Sequence, residues 1–83
     1  MDKKEIRKKV CEVIDENYGL SGEAVHDDDL LKDDLLMDSF DVFEMAIKLQ
    51  KKLSIHISYE ETFEMECMTV GELVDFLVNK YNG

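Results

Sequence analysis

The sequence predicts an all-α fold, a small four-helix bundle with a long first loop and a short third helix. Two observations predict it. A helix-start signal recurs four times, a capping residue followed three positions later by an acid, at Asp2–Glu5, Asp38–Asp41, Ser58–Glu61 and Thr69–Glu72. Such a pair satisfies free backbone N–H groups and sets negative charge against the positive end of a helix. Apolar residues then follow at helical spacing. With 83 residues the chain is expected to form one domain, 1–83, around one small core.

In the first helix Ile6, Val10, Val13 and Ile14 repeat at helical spacing, with Tyr18 a turn later and Gly19 as the stop. A long connection, 20–37, follows, and Leu30, Leu31 and Leu35 are expected to pin it to the core; a loop of this length inside a compact domain usually has a task. The helix that begins near Ser39 carries two apolar stripes. At 100° per residue, Val42, Met45, Ala46, Leu49 and Leu53 share one side, while Phe40, Phe43 and Ile47 share nearly the opposite one. One stripe suffices for so small a core. The second is then either an exposed contact surface or packing under the long loop. The third helix, within 59–66, has room for one or two turns. Val70, Leu73, Val74 and Leu77 mark the fourth.

Charge narrows the function classes. The chain holds ten basic and twenty acidic residues, a formal charge of −10. Lys3, Lys4, Arg7, Lys8 and Lys9 put half of the basic residues into the first nine positions. From Val10 onward there are eighteen acidic and five basic residues, a net of −13. That field repels nucleic acid and steers the protein toward partners with basic patches. No apolar run is long enough to span a bilayer and no charged-then-apolar leader is present, so membrane insertion is not expected and a cytoplasmic protein made without processing is. Cys11 and Cys67 lack metal-ligand or disulfide-framework spacing and read as small core residues or inert thiols.

Chemistry concentrates at Asp34-Leu35-Leu36-Met37-Asp38-Ser39-Phe40-Asp41. With Asp38 as the cap, Ser39 is the first residue of the helix and its hydroxyl points to solvent. A phosphate ester on that oxygen would lie beside the unpaired first-turn amides, where anions are favoured. This stretch resembles the acyl carrier protein family pattern Asp-Leu-Gly-x-Asp-Ser-Leu-Asp. The likeness continues through Val42, Glu44, Leu49, Leu53, Ile55-x-Ile57 and Thr69-Val70, from about Ile6 to Val78. The resemblance implies that a phosphopantetheinyl transferase moves 4′-phosphopantetheine from coenzyme A onto Ser39. The arm's thiol then carries an acyl group as a thioester, and a monomeric carrier, not itself an enzyme, presents it to loading and acyl-processing enzymes. It further implies docking through Asp38, Asp41 and Glu44, with apolar contacts from Phe40, Phe43 and Ile47.

Several positions depart from the family pattern. Leu36 replaces the usual glycine and Phe40 the usual leucine. The pathway implied is fatty-acid or specialised acyl or polyketide-type biosynthesis; Lys48, Gln50, Lys51 and Lys52 stand where many members keep acids, which puts service to ordinary fatty-acid enzymes in doubt and favours a dedicated partner set. Ser58 stands where proline is common, and Met65-Glu66-Cys67-Met68 is about two residues longer than usual. The Leu-Leu before Asp-Ser-Phe also resembles D-alanyl carrier proteins, and an interaction module with the carrier fold but no arm is a further alternative. Catalysis lacks machinery: no Gly-x-Ser-x-Gly turn surrounds Ser39, and His26 and His56 both read as solvated. The window from Asp27 to Asp38 fails as a calcium loop because Leu31, Lys32 and Asp38 occupy its fifth, sixth and last positions.

Overall fold

The computed structural model describes residues 1–19 and 25–83; the Tyr18 side chain and the first part of the expected loop, 20–24, lie outside the described residues. Among the described residues four helices run in order, α1 (Lys3–Tyr18), α2 (Ser39–Leu53), α3 (Tyr59–Met65) and α4 (Val70–Asn82). Every helix start falls where the sequence places it. Asp2 accepts the Glu5 amide at 2.9 Å. At Asp38, Ser58 and Thr69 the cap is reciprocal, with the acid three residues on accepting the cap residue's own amide. Gly19 ends α1 at φ 67°, the left-handed conformation that glycine adopts without a Cβ penalty, and its amide reaches the Asp15 carbonyl at 2.9 Å.

The core is made where the periodicity predicts. Ile6, Val10, Val13 and Ile14 of α1, the Val42, Met45, Ala46, Leu49 and Leu53 stripe of α2, and Val70, Leu73, Val74 and Leu77 of α4 are no more than 1% exposed. Each of these side chains other than Ala46 is worth about 1.5–3 kcal/mol relative to exposure. Met65 and Thr62 fix the short α3 to the same core. Cys11 is buried, which pushes its thiol pKa up, whereas Cys67 is exposed; the core reading holds for the first cysteine only.

The loop is pinned by side chains and backbone together. Leu31 is fully buried, with Val25 and Met37 at 2%, and Leu35 packs half-buried against the core. Leu30 contributes instead through its backbone, pairing with Thr69 in an isolated bridge. Next to it the Leu31 amide donates to the Met68 carbonyl at 3.1 Å. The first amides of α4 have no partner inside their own helix, and the loop supplies them: Val70 donates to the Asp29 carbonyl and Gly71 to the Asp27 carbonyl, both at 2.9 Å. A Cβ at position 71 would stand 3.2 Å from that Asp27 oxygen, so any larger residue there would press the loop back by a few tenths of an ångström. Arg7 completes the joint, its guanidinium reaching the Asp27 carboxylate at 2.8 Å and the Val25 carbonyl at 3.1 Å. That hydrogen bond holds the Asp27 carboxyl below its ordinary pKa. Two acids of the window that fails as a calcium loop are engaged by other partners, Asp27 by Arg7 and Asp29 by the His26 amide.

The C-terminal half of α2 faces α1. Lys48 bonds to Asn17, and Lys52 lies 3.3 Å from Glu16 and 3.7 Å from Glu12. Gln50 accepts the Ile57 amide at 3.1 Å and so folds the next segment back. Among the described residues no helix is long and apolar enough to cross a membrane.

Candidate functional site

The site is built at the start of α2. Leu35 and Met37 both turn inward, and between them Leu36 takes φ 59° with its side chain 80% exposed. An L-residue in that left-handed conformation costs about 1–2 kcal/mol, which gives a physical reason for the glycine usual here in the resembling family. The inward turns set the frame. Asp38 then leaves in extended conformation, φ −90° and ψ −179°, and α2 begins at Ser39.

The capping box sets the local electrostatics. Asp38 Oδ1 accepts the Asp41 amide at 2.8 Å, and Asp41 Oδ2 accepts the Asp38 amide at 3.0 Å. The Val42 amide bonds the Asp38 carbonyl. The first two amides of the helix, those of Ser39 and Phe40, are left for an anion or water. Both carboxylates are occupied in holding the helix end, and Asp41 is half-buried; Glu44, one turn on, is exposed.

Ser39 is exposed, and its hydroxyl donates to the Glu66 carboxylate at the C-cap of α3. Between the two helices lies an open groove of about 360 Å³, lined by Ser39, Phe40, Phe43, Tyr59, Thr62, Phe63 and Glu66. Phe43 meets Tyr59 edge-on at 6.0 Å between ring centroids, and Tyr59 meets Phe63 edge-on at 5.0 Å, within the favourable range for aromatic pairs. The second stripe of α2 is therefore on the surface: Phe40 is 67%, Phe43 38% and Ile47 39% exposed. The described part of the long loop, 25–37, does not cover it. His26 and His56 are exposed, as expected of solvated residues.

All the residues singled out in the sequence (Asp38, Ser39, Phe40, Asp41, Phe43, Glu44 and Ile47) share the outer side of α2. The sequence reading missed Glu66, Tyr59 and Phe63. Tyr59 and Phe63 lie four apart on α3, a spacing that places them on one face. For Glu66 the available signal was the lengthened 65–68 segment, which supplies the carboxylate opposite Ser39.

An accessible serine hydroxyl thus stands at the first turn of the second helix, between capping acids and beside an apolar groove, and the adjacent amides favour an anion such as a phosphate ester, so the residues present fit a phosphate-linked group. The sequence pattern of the phosphopantetheine attachment site matches residues 8–77. An acyl carrier protein of Cyanidium caldarium is 34% identical over 80 residues, covering 96% of this chain and 91% of the relative. One of Arthrobacter sp. is 32% identical over 75 residues, covering 90% of each. The solved structure of the acyl carrier protein from Enterococcus faecalis, described for its high thermal stability, superposes with a TM-score of 0.77 at 32% identity, covering 96% of this chain and 99% of that one. The chain belongs to the acyl carrier protein family, whose cofactor is covalently attached 4′-phosphopantetheine.

Proposed function

We propose that Ser39 is the attachment point of the phosphopantetheine arm, and that the protein is a single-domain cytoplasmic carrier of acyl intermediates. The observation that carries this reading is the exposed hydroxyl at the first residue of α2, within the Asp38-Ser39 pair. When attached, the arm supplies a thiol that holds an acyl group as a thioester. The chain's own residues do the rest. Asp38 and Asp41 fix the helix start so that the Ser39 oxygen stands clear of the core. The Ser39 and Phe40 amides favour the negative charge of the ester. Phe40, Phe43 and Ile47 provide apolar contact, and Asp38, Asp41 and Glu44 provide the acidic character that a transferase or an acyl-processing enzyme meets with a basic patch.

Service to a specialised acyl or polyketide-type pathway is supported by the later half of α2. The acids of α2 end at Glu44, so the acidic docking surface is confined to the first turns of the helix, while Lys48 and Lys52 beyond it are engaged with α1. Intact mass before and after incubation with coenzyme A and a broad-specificity phosphopantetheinyl transferase tests the attachment. The expected outcome is a gain of one phosphopantetheine on the native chain and none on a folded Ser39→Ala variant. A gain that persists in that variant would move the site elsewhere.

A further inference from the structure

Glu66 stands 27 residues from Ser39 in sequence and yet accepts a hydrogen bond from its hydroxyl. The contact joins the first residue of α2 to the last turn of α3 and closes one end of the groove between them. The two ends of α3 are held differently. At its start, Ser58 and Glu61 form a reciprocal cap, and Glu61 also pairs with Lys80 of α4 at 2.6 Å. Toward its end, Met65 is buried, and beyond it the polar tie to α2 is the Glu66 contact. A seven-residue helix is too short to be stable by itself, so its last turn depends on such ties.

We propose that Glu66 reads the attachment state of Ser39, clasping α3 to α2 in the unmodified protein and releasing it when the arm is attached. The inference rests on Ser39 being the attachment point. Attachment forms a bond from Ser39 Oγ to the phosphorus of the pantetheine phosphate. The phosphoanhydride of coenzyme A breaks, adenosine 3′,5′-bisphosphate leaves, and the hydroxyl proton passes to a base of the transferase or to water. Two consequences follow at Glu66. The donor it was accepting from is gone, and a phosphodiester anion stands next to its carboxylate. Attraction becomes repulsion between like charges a few ångströms apart. The anchor at Glu61 and the buried Met65 remain, so the change is confined to the last turn of α3 and the 66–68 connection. The groove then opens at the Ser39 end, and the unmodified and loaded forms differ where partners dock.

Amide hydrogen exchange across 62–68 tests this, with intact mass read on the same samples. The useful reporters are the Glu66 amide, bonded to the Thr62 carbonyl at 3.3 Å, and the Cys67 amide, bonded to the Glu64 carbonyl at 3.2 Å. Loading should speed their exchange about three- to tenfold, the range expected for loss of one hydrogen bond. Unmodified Ser39→Ala, which lacks the donor but brings no phosphate charge, should show a rise in the same direction and smaller than that of the loaded native protein. Glu66→Gln keeps an acceptor oxygen without the charge, so it should match the native unmodified protein and respond less to loading. A loaded native protein whose exchange is unchanged over 62–68 overturns the clasp while leaving the attachment reading intact. So does a Ser39→Ala variant as protected as the native chain. No change of mass overturns the attachment reading and this inference with it.

Discussion

On one face of α2, Val42, Met45, Ala46, Leu49 and Leu53 are sealed in the core; on the other, Phe40, Phe43 and Ile47 stand 38% to 67% exposed. The residue types are alike, and the helix is the same. What differs is the neighbour: the inner face shares one core with the buried stripes of α1 and α4, whereas Phe40 and Phe43 of the outer face line an open groove against the short α3. Burial converts apolar area into stability. The outer face forgoes that gain, so its apolar residues are available for contact with another protein.

Substitution separates the two faces. Leu49→Ala should cost about 2–5 kcal/mol, read as a lower urea midpoint, because it removes a fully buried side chain and leaves a cavity. Phe40→Ala should shift stability by no more than about 0.5 kcal/mol. The same change should weaken docking by more than about 1 kcal/mol, seen as a roughly fivefold or greater rise in the KM of arm loading. A Phe40→Ala protein as unstable as Leu49→Ala would break the comparison.

The support of α3 gives a smaller effect that depends on pH. The hydrogen bond from Lys80, followed by that from the Ser58 amide, holds the Glu61 carboxyl below its ordinary pKa. A carboxyl depressed in the folded state stabilises above its unfolded pKa and loses that contribution as pH falls through the folded one. Acidification below about pH 4.5 should therefore remove roughly 1 kcal/mol or less, since the Glu61 and Lys80 side chains remain 23% and 29% exposed. In Glu61→Gln this part of the pH dependence should be absent from unfolding curves. A native and a variant protein with superimposable acid profiles would remove the pair from the account.

The smallest change lies just before α2. Leu36→Gly should stabilise by about 0.5 kcal/mol, the left-handed strain relieved being partly offset by the greater freedom of glycine in the unfolded chain. The urea midpoint measures it. A loss of stability would mean that the exposed Leu36 side chain makes a contact that outweighs its backbone strain.

The helix starts were legible because each depends on residues three apart. Asp38–Asp41, Ser58–Glu61 and Thr69–Glu72 close reciprocal boxes by local geometry alone. Ser58 in place of the common proline is explained by the same box, since its hydroxyl accepts the Glu61 amide at 3.2 Å. The stripes of α2 were legible from helical period, but which of them meets solvent is decided by packing and not by period. Leu30 was legible as a loop anchor, though not that its backbone would pair with Thr69. The lysines of α2 looked like a change of docking surface, and two of them are engaged with α1.

The chain by itself determined the four helix starts, the buried stripes and the serine at the head of α2, because caps and periodicity act over three or four residues. Tertiary structure decided the rest. The loop carbonyls that satisfy the first amides of α4, the left-handed Leu36, the aromatic groove and the meeting of Ser39 with Glu66 all join distant segments or depend on what packs around them. Such contacts arise only when packing sets the elements side by side, and no short-range pattern encodes that distance.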